Sequence, residues 1–460
     1  MNFENKRFLV VGSGRSGIGA MHLLHRNGAD AILLDQNKKG TVEAIRASLH
    51  EEDRAYGRIV LGELDASDLK APDVVVLSPA VPTDAPLVEA FRGQGIPVWS
   101  ELELGFTCEK GRMLGITGTN GKTTTTTLVG RIMEDCGYKT HVVGNIGNSY
   151  AGEAMETTRD SVSVAEISSF QLENIDTLHP AVSAILNITP DHLNRHYTMD
   201  NYAAVKEKIT ANQTKNDTCV LNYDDPRLRE FGPVCPAKVV WFSSKTRLSE
   251  GYFLDGDDIY YASGENDTSV TKLMNIFDMR LVGTCNVENV MAAIAMTHAA
   301  GLSFDEIIPV VRDFPPVEHR IEYVGTRGGV EYYNDSKGTN PDAAIKAVLA
   351  MKGPTVLIGG GYDKQNTYDE WIESFGTKVK ALVLLGQTAK KIEECARAHG
   401  FNAIYQTESL EEAVLKCAEL AAEGDAVLLS PACASWGMFP NYEVRGQMFK
   451  ELVRALPNRE

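Results

Sequence analysis

The sequence contains no cysteine pair close enough to form a CxxC unit. Its eight cysteines, at 108, 136, 219, 235, 285, 395, 417 and 433, are never closer than sixteen positions. That spacing argues against a zinc knuckle or a redox pair; scattered single thiols fit a reducing cytosol, with cysteine used as small core filler. No stretch approaches the ~20 apolar residues of a membrane span. The polar start, Met1 to Arg7, precedes an apolar run of only four residues, Phe8 to Val11, which is not the pattern of a signal peptide. Positive charge is also in deficit. Forty-five Lys and Arg face sixty-two Asp and Glu, for a net −17, and so acidic a surface disfavours nucleic acid and anionic lipid as partners. A cytoplasmic protein with no nucleic-acid or membrane partner is expected, and any phosphate ligand must be held by a local device.

What is present fits a multidomain α/β protein. At roughly 150 residues per domain, 460 residues make about three domains. Hydrophobic residues at 43% and charged residues at 23% allow each domain a core. The first stretch reads as a strand (Arg7–Val11), a glycine turn, a helix through His25, a strand (Ala31–Leu34) ending in Asp35, and a continuous apolar strand (Asp73–Leu77) of the kind covered on both faces of a parallel sheet. Such alternation implies a Rossmann-like sheet, and Gly95–Leu104 leads out of it. The second stretch opens on a short strand at Met113, continues through strands at Val162–Ile167 and Val182–Asn187, and reaches a helix around Asn289–Ala300. Pro315-Pro316 reads as a hinge, because consecutive prolines stop helices and stiffen a link. The third stretch has strands at Thr355–Ile358, Ala381–Leu385 and Ala426–Leu429 separated by helical patterns, again a doubly wound sheet. The expected domains are 1–107, 108–316 and 317–460.

Chemistry concentrates at strand ends. Gly118-Thr-Asn-Gly-Lys-Thr123 lies between a strand and a helix. Glycines there turn backbone N–H groups inward around phosphate oxygens, the helix N-terminus adds positive potential, Lys122 would neutralise the β- and γ-phosphates, and the Thr123 hydroxyl would bind Mg²⁺. Ile116 stands where a standard Walker A loop has its first glycine. Glu166 ends an apolar strand after this loop and is placed to hold Mg²⁺ directly or through water. His192 and His196 are spaced i, i+4, but Leu193 replaces the glutamate of a zinc-protease motif, so a lone imidazole on magnesium or a phosphoryl group is the better reading. Gly12-Ser-Gly-Arg-Ser-Gly17, with Asp35 eighteen residues on, matches a dinucleotide fingerprint and would serve NAD or a UDP-sugar alike. Asn334-Asp-Ser-Lys-Gly-Thr-Asn340, Gly359-Gly-Gly-Tyr-Asp-Lys364 and Ser430-Pro-Ala-Cys-Ala-Ser435 are polar runs at strand ends that would line one pocket.

Taken in order, these runs resemble the Mur ligase family, the ATP-dependent amide-forming enzymes of peptidoglycan synthesis. Gly144-Asn-Ile-Gly147, Glu166-Ile-Ser-Ser-Phe-Gln-Leu-Glu173, Asp191-His192, Asn286-Val-Glu-Asn289 and His319-Arg320 belong to the same ordered set. The Gly-Gly-Gly-Tyr-Asp-Lys364 run, the Ser-Pro-Ala-Cys-Ala-Ser435 run and Arg445-Gly446 resemble the member that adds D-glutamate, and no Asp-Asn-Pro-Arg motif of the diamino-acid-adding member is present. The resemblance implies three α/β domains: a Rossmann-like N-terminal domain, a central P-loop ATPase-type domain and a C-terminal Rossmann-like domain. It also implies ATP and two Mg²⁺ ions as cofactors, UDP-N-acetylmuramoyl-L-alanine and D-glutamate as substrates, and a monomer.

The family pattern assigns catalysis to Lys122, Glu166, His192 and Lys206. Metal would be held by Thr123, Glu166, His192 and a carbamylated Lys206, since an ammonium repels Mg²⁺ and a carbamate can ligate it. ATP would be held by Gly118, Thr119, Asn120, Gly121, Lys122, Thr123, Thr124, Asn289, Arg320 and Asp335. The UDP-substrate would be held by Ser13, Gly14, Arg15, Ser16, Asp35, Ser78, Asn145, Ser168 and His192. D-glutamate would be held by Lys337, Thr339, Lys364, Ser435 and Tyr442. Tyr442 replaces an expected phenylalanine, and Cys285 the usual histidine. Other readings are another Mur or folylpolyglutamate-synthetase-like ligase, an NAD-dependent oxidoreductase tested by absorbance at 340 nm, and a nucleotide-binding regulator.

Overall fold

The computed structural model describes residues 3–65, 72–264 and 269–457. Three sheets carry the chain. The first has five parallel strands, β1 (Arg7–Val11), β2 (Asp30–Asp35), β3 (Arg58–Leu61), β4 (Val74–Leu77) and β5 (Val98–Ser100), in the order β3-β2-β1-β4-β5. All four side chains of β4 are buried, as its unbroken valine run requires; each such side chain stabilises the fold by roughly 1.5–3 kcal/mol. The order reverses beside β1, so the turn after β1 faces the crevice where open parallel sheets bind ligands.

The second sheet contains β6 (Arg112–Thr117), β7 (Lys139–Gly144), β8 (Ser161–Glu166), β9 (Val182–Ile185), β10 (Thr218–Asn222), β11 (Lys238–Ser243), β12 (Glu250–Asp255), β13 (Asp258–Ser263) and β14 (Val270–Asn275). Its order is β14-β13-β12-β11-β10-β9-β6-β8-β7. The phosphate-loop half is parallel, while β12 and β13 form an antiparallel hairpin, so the sheet is mixed. Strand β9 stops two residues short of the expected Asn187, because the Leu186 N–H turns to the Thr117 carbonyl and the Asn187 side chain is drawn to Asn120.

The third sheet runs β15 (Glu322–Arg327), β16 (Val330–Asn334), β20 (Ala426–Leu429), β17 (Thr355–Gly359), β18 (Val379–Leu384) and β19 (Ile404–Gln406). It is parallel except for β15, which pairs antiparallel with β16. The helix expected around Asn289 starts earlier, at Thr284, just after Gly283, whose φ of +91° turns the chain into it. Pro315 and Pro316 lie in the irregular stretch after the helix Phe304–Asp313.

The chain divides into two compact units, 1–274 with 290–311, and 275–289 with 312–460. The first unit holds the first two sheets and the second unit the third. Among the described residues no helix is long and apolar enough to cross a membrane.

Candidate active site

The loop Gly118–Thr123 connects β6 to the helix Lys122–Asp135. Gly118 and Gly121 adopt φ of +147° and +88°, which only glycine takes readily. Gly121 is also the N-cap and offers no capping side chain, and the N-terminus of the helix, with its positive end of the dipole, opens onto the loop. The loop is pinned from behind. The Asn120 N–H donates to Asn187 Oδ1 at 2.8 Å, Asn187 Nδ2 donates to the Asn120 carbonyl at 3.0 Å, and the Thr119 hydroxyl donates to the Thr189 carbonyl at 3.1 Å. Thr124 is buried below it.

Two lysines converge on this loop. Lys122 Nζ donates to the Gly118 and Thr119 carbonyls, both at 2.8 Å, and Lys206 Nζ reaches the same Gly118 carbonyl at 2.8 Å. Lys206 belongs to the helix Met199–Glu207 and is 1% exposed, which excludes a solvated surface lysine. Burial first, and then the nearby Lys122 cation, push its ammonium well below the ordinary lysine range, against the opposing pull of Asp191 and Glu166.

Glu166, at the end of β8, is 1% exposed. Its Oε1 accepts from Asn145 Nδ2 at 2.6 Å, while its buried Oε2 has no hydrogen-bond partner. An unmet buried carboxylate oxygen calls for a cation, and the oxygens of Glu166 and Thr123 make a hard donor set suited to a magnesium-like ion. Gly144 keeps Asn145 close, since a Cβ at 144 would lie 2.4 Å from the Glu166 carbonyl.

His192 sits in the left-handed region at φ +53°, with its N–H on Asp191 Oδ1 at 3.0 Å and its ring 4.8 Å from Phe170. His196 turns inward: its Nε2 meets the Ser169 hydroxyl at 2.9 Å and its Nδ1 lies 3.5 Å from Glu173. Both its nitrogens are engaged, so the i, i+4 pair does not form a metal couple. Ser168 and Gln171 form a capping box. Sequence reasoning missed Arg195, which grips Glu173 through two bonds of 2.6 and 3.1 Å and donates to the Val81 carbonyl at 2.8 Å. Its only signal was its place beside His196.

The other glycine turn of the first unit follows β1. Gly12 has φ +102°, and a Cβ at Gly17 would stand 1.9 Å from the Gly12 carbonyl, so strand and helix meet here only through glycine. Asp35 accepts the Ser13 N–H at 3.1 Å, the Ser13 hydroxyl, and the Asn37 N–H at 2.8 Å. Burial pushes the Asp35 carboxyl up, but these donors win and hold it below the usual range. Ser78 donates to the Gly12 carbonyl at 3.3 Å. Gly14 and Arg15 are exposed and Ser16 is half-buried, and Arg15 reaches the Gly147 carbonyl at 2.8 Å.

In the second unit the strand ends also gather the expected residues. Asp335, after β16, is buried; burial pushes its carboxyl up to about 7, against Ser430, whose hydroxyl donates to it at 2.7 Å, and the Arg320 cation. Lys337 Nζ stands 3.7 Å from the centre of the Tyr442 ring, a close cation–π contact. The Tyr362 N–H donates to the Ala434 carbonyl at 2.9 Å, which brings the loop carrying Lys364 beside Ser435. Lys364 Nζ lies 5.9 Å from the Trp436 ring. Thr339 follows directly, its N–H bonded to the Lys337 carbonyl at 2.8 Å. Buried Arg445 ties the two loops together, donating to the Ser336 and Cys433 carbonyls at 2.8 and 3.2 Å. Gly360, Gly361, Ser435, Phe439 and Arg445 line a cavity there. Asn289 Nδ2 donates to Asn286 Oδ1 at 3.1 Å, away from these loops in sequence.

The chain is similar to known proteins over nearly its whole length. Residues 6–100 match the Mur ligase MurD-like N-terminal domain, 116–297 the Mur ligase middle domain, and 319–433 the Mur ligase glutamate ligase domain. A UDP-N-acetylmuramoylalanine--D-glutamate ligase of Lachnospira eligens is 55% identical over 456 residues, covering 99% of this chain and 100% of that one. The enzyme of the same name from Lachnoclostridium phytofermentans is 52% identical over 457 residues, covering 99% of each. Among solved structures, MurC of Thermotoga maritima superposes with a TM-score of 0.60 at 19% identity, covering 98% of this chain and 100% of that one. MurF of the same organism, in complex with ADP, gives 0.60 at 18%, covering 98% and 96%. These two structures share the fold.

Proposed function

The chain belongs to the Mur ligase family, and from that premise we propose that it joins D-glutamate to UDP-N-acetylmuramoyl-L-alanine with ATP, making a peptidoglycan precursor. A carboxylate is a poor electrophile. Its oxygen therefore attacks the γ-phosphate of ATP, ADP leaves, and the resulting acyl phosphate is attacked by the amine of D-glutamate. The tetrahedral adduct then collapses by expelling phosphate, and the amine proton passes to solvent. Phosphoryl transfer of this kind is mostly positioning and charge neutralisation.

The observation that carries this reading is the convergence of Lys122 and Lys206 on the Gly118 carbonyl, beside a buried Glu166 oxygen that no donor meets. In this reading Lys122 swings from its carbonyl partners to the phosphates, and the N–H groups of Gly118–Thr124 cradle them. Thr123, Glu166, His192 and Lys206 are the residues that would hold Mg²⁺. Mg²⁺ supplies positive charge to the oxygens of the transferring phosphoryl group. The depressed Lys206 ammonium gives a proton to solvent more readily than an ordinary lysine; the amine lone pair then attacks the carbon of CO₂, a second proton leaves to solvent, and a carbamate anion replaces a repelling ammonium.

Asp35, Ser13, Arg15 and Ser78 serve the UDP end, with Asn145, Ser168 and His192 toward the muramoyl-alanine. In the second unit Lys337, Thr339, Lys364, Ser435 and Tyr442 serve the two carboxylates of D-glutamate. The domains 1–107, 108–316 and 317–460 thereby take the UDP-substrate, ATP and the amino acid. Phosphate release from ATP, measured with each substrate alone and with both, tests the reading. Full release is expected only with both. Release that ignores D-glutamate, or proceeds equally with other amino acids, overturns it.

A further inference from the structure

Outside the substrate loops, the second unit sets two i, i+4 pairs of side chains face to face. Asp369 and Glu373 are the ends of the helix Asp369–Glu373, and Cys395 and His399 close the helix Ala389–Ala398. His399 Nε2 lies 3.5 Å from Glu373 Oε1 and 3.7 Å from Asp369 Oδ1, and Cys395 Sγ lies 3.9 Å from His399 Nδ1. One donor atom each from Asp369, Cys395 and His399 falls within 4.8 Å of the others. A tetrahedral ion with bonds of ~2.0–2.3 Å sets its donors roughly 3.3–3.8 Å apart, a spacing that three donors already within 4.8 Å of one another reach by small side-chain rotations.

We propose that Asp369, Cys395 and His399 bind one divalent transition ion of the zinc type, with a solvent oxygen as the fourth ligand and Glu373 adding negative charge beside His399. The setting of the His399 ring supports this. Its Nδ1 donates a 2.9 Å hydrogen bond to the Cys395 carbonyl, and its Nε2 is the nitrogen that faces Asp369. A ring held through its other nitrogen is the usual state of a ligating histidine. The donor set selects the ion. Sulfur and imidazole nitrogen suit zinc, whereas magnesium and calcium take oxygen alone. Asp369 and Glu373 are 58% and 65% exposed, so the ion enters from solvent. On binding, the Cys395 thiol gives its proton to solvent and the sulfur joins the metal as thiolate.

The site would clamp the substrate loop from its far end. Tyr368, next to Asp369, is buried with its hydroxyl 3.1 Å from Cys433 Sγ, and the segment before it carries Lys364. An ion bridging the two helices fixes where that segment ends.

The test titrates the metal-free, full-length chain with Co²⁺, whose bond to a thiolate gives a near-ultraviolet charge-transfer band that oxygen and nitrogen sites lack. One equivalent saturates the band, and Zn²⁺ displaces it. Cys395→Ser abolishes the band, and His399→Gln weakens binding by more than the roughly tenfold that loss of an outer-shell partner costs. Asp369→Asn, at an exposed position, weakens it with the far-ultraviolet dichroism unchanged. No band in the unsubstituted chain, or a band that Cys395→Ser leaves intact, overturns the proposal.

Discussion

The turns Gly12–Gly17 and Gly118–Thr123 each join a parallel strand to a helix, and each needs glycine where φ is positive or a carbonyl comes close. Around the first stand Asp35 and two serines, with Arg15 at the rim. Around the second stand Lys122, Lys206 and a buried Glu166. The backbone shape is shared, and the side chains supplied by neighbouring strands and helices separate the two. In the proposed function, an acid bonded to a serine and to backbone N–H groups serves a hydroxyl-rich ligand. In that same function, a half-buried lysine and a buried, depressed one beside an unmet carboxylate oxygen serve a phosphate and its metal.

Substitutions break that contrast unequally. Lys122→Ala is expected to lower kcat about 10³-fold while leaving the KM for the UDP-substrate unchanged, because it removes charge from the transferring phosphoryl group. Steady-state phosphate release checks this, and an equal loss in KM would erase the distinction between the turns. Lys206→Ala is expected to cost about 10²-fold in kcat. Added short carboxylates should restore part of it, since they bring back the anion; absence of rescue counts against the carbamate. Asp35→Ala is expected to raise the KM for the UDP-substrate about tenfold with kcat within about twofold, the loss of one charged hydrogen bond.

The smallest effect concerns Glu101, in the segment that leads from the first sheet to the second. It is buried, accepts the Ala151 N–H at 2.7 Å, and is pushed up to about 7 by burial. The folded chain then holds a proton that the unfolded chain releases, so stability falls as pH rises from the ordinary carboxylate range through 7. Glu101→Gln should remove this slope, gaining on the order of 1–3 kcal/mol at pH 8 and nothing near pH 4, as read by urea denaturation. A gain equal at both pH values would show that ionisation is not the cause.

The parallel strands β1, β4, β6, β8, β17 and β20 are legible in the sequence because each is a short apolar run ended by glycine or a polar motif. The outer part of the second sheet was not: β11 to β13 are partly buried and mixed in direction, with patterns such as EGYFLD that carry no strong period. Motif residues at the strand ends were found by their order. Burial was not legible, and burial is what turns Lys206 from a helix lysine into a depressed amine. Arg195 and the Asp369–Cys395–His399 group were also invisible, since their partners come from separate elements and no spacing along the chain records them.

Lys122 makes two charge-assisted hydrogen bonds to carbonyls of its own loop. An incoming anion must replace both, each stabilising by about 1.5–3 kcal/mol. The loop thus carries an internal competitor that sets a threshold on its ligands. Chloride or a lone carboxylate offers a single weak charge and gains little by displacing the carbonyls. A polyphosphate presents several oxygens to the lysine and the backbone N–H groups together. Among small monoanions, the same lysine that would meet ATP keeps the loop closed to them.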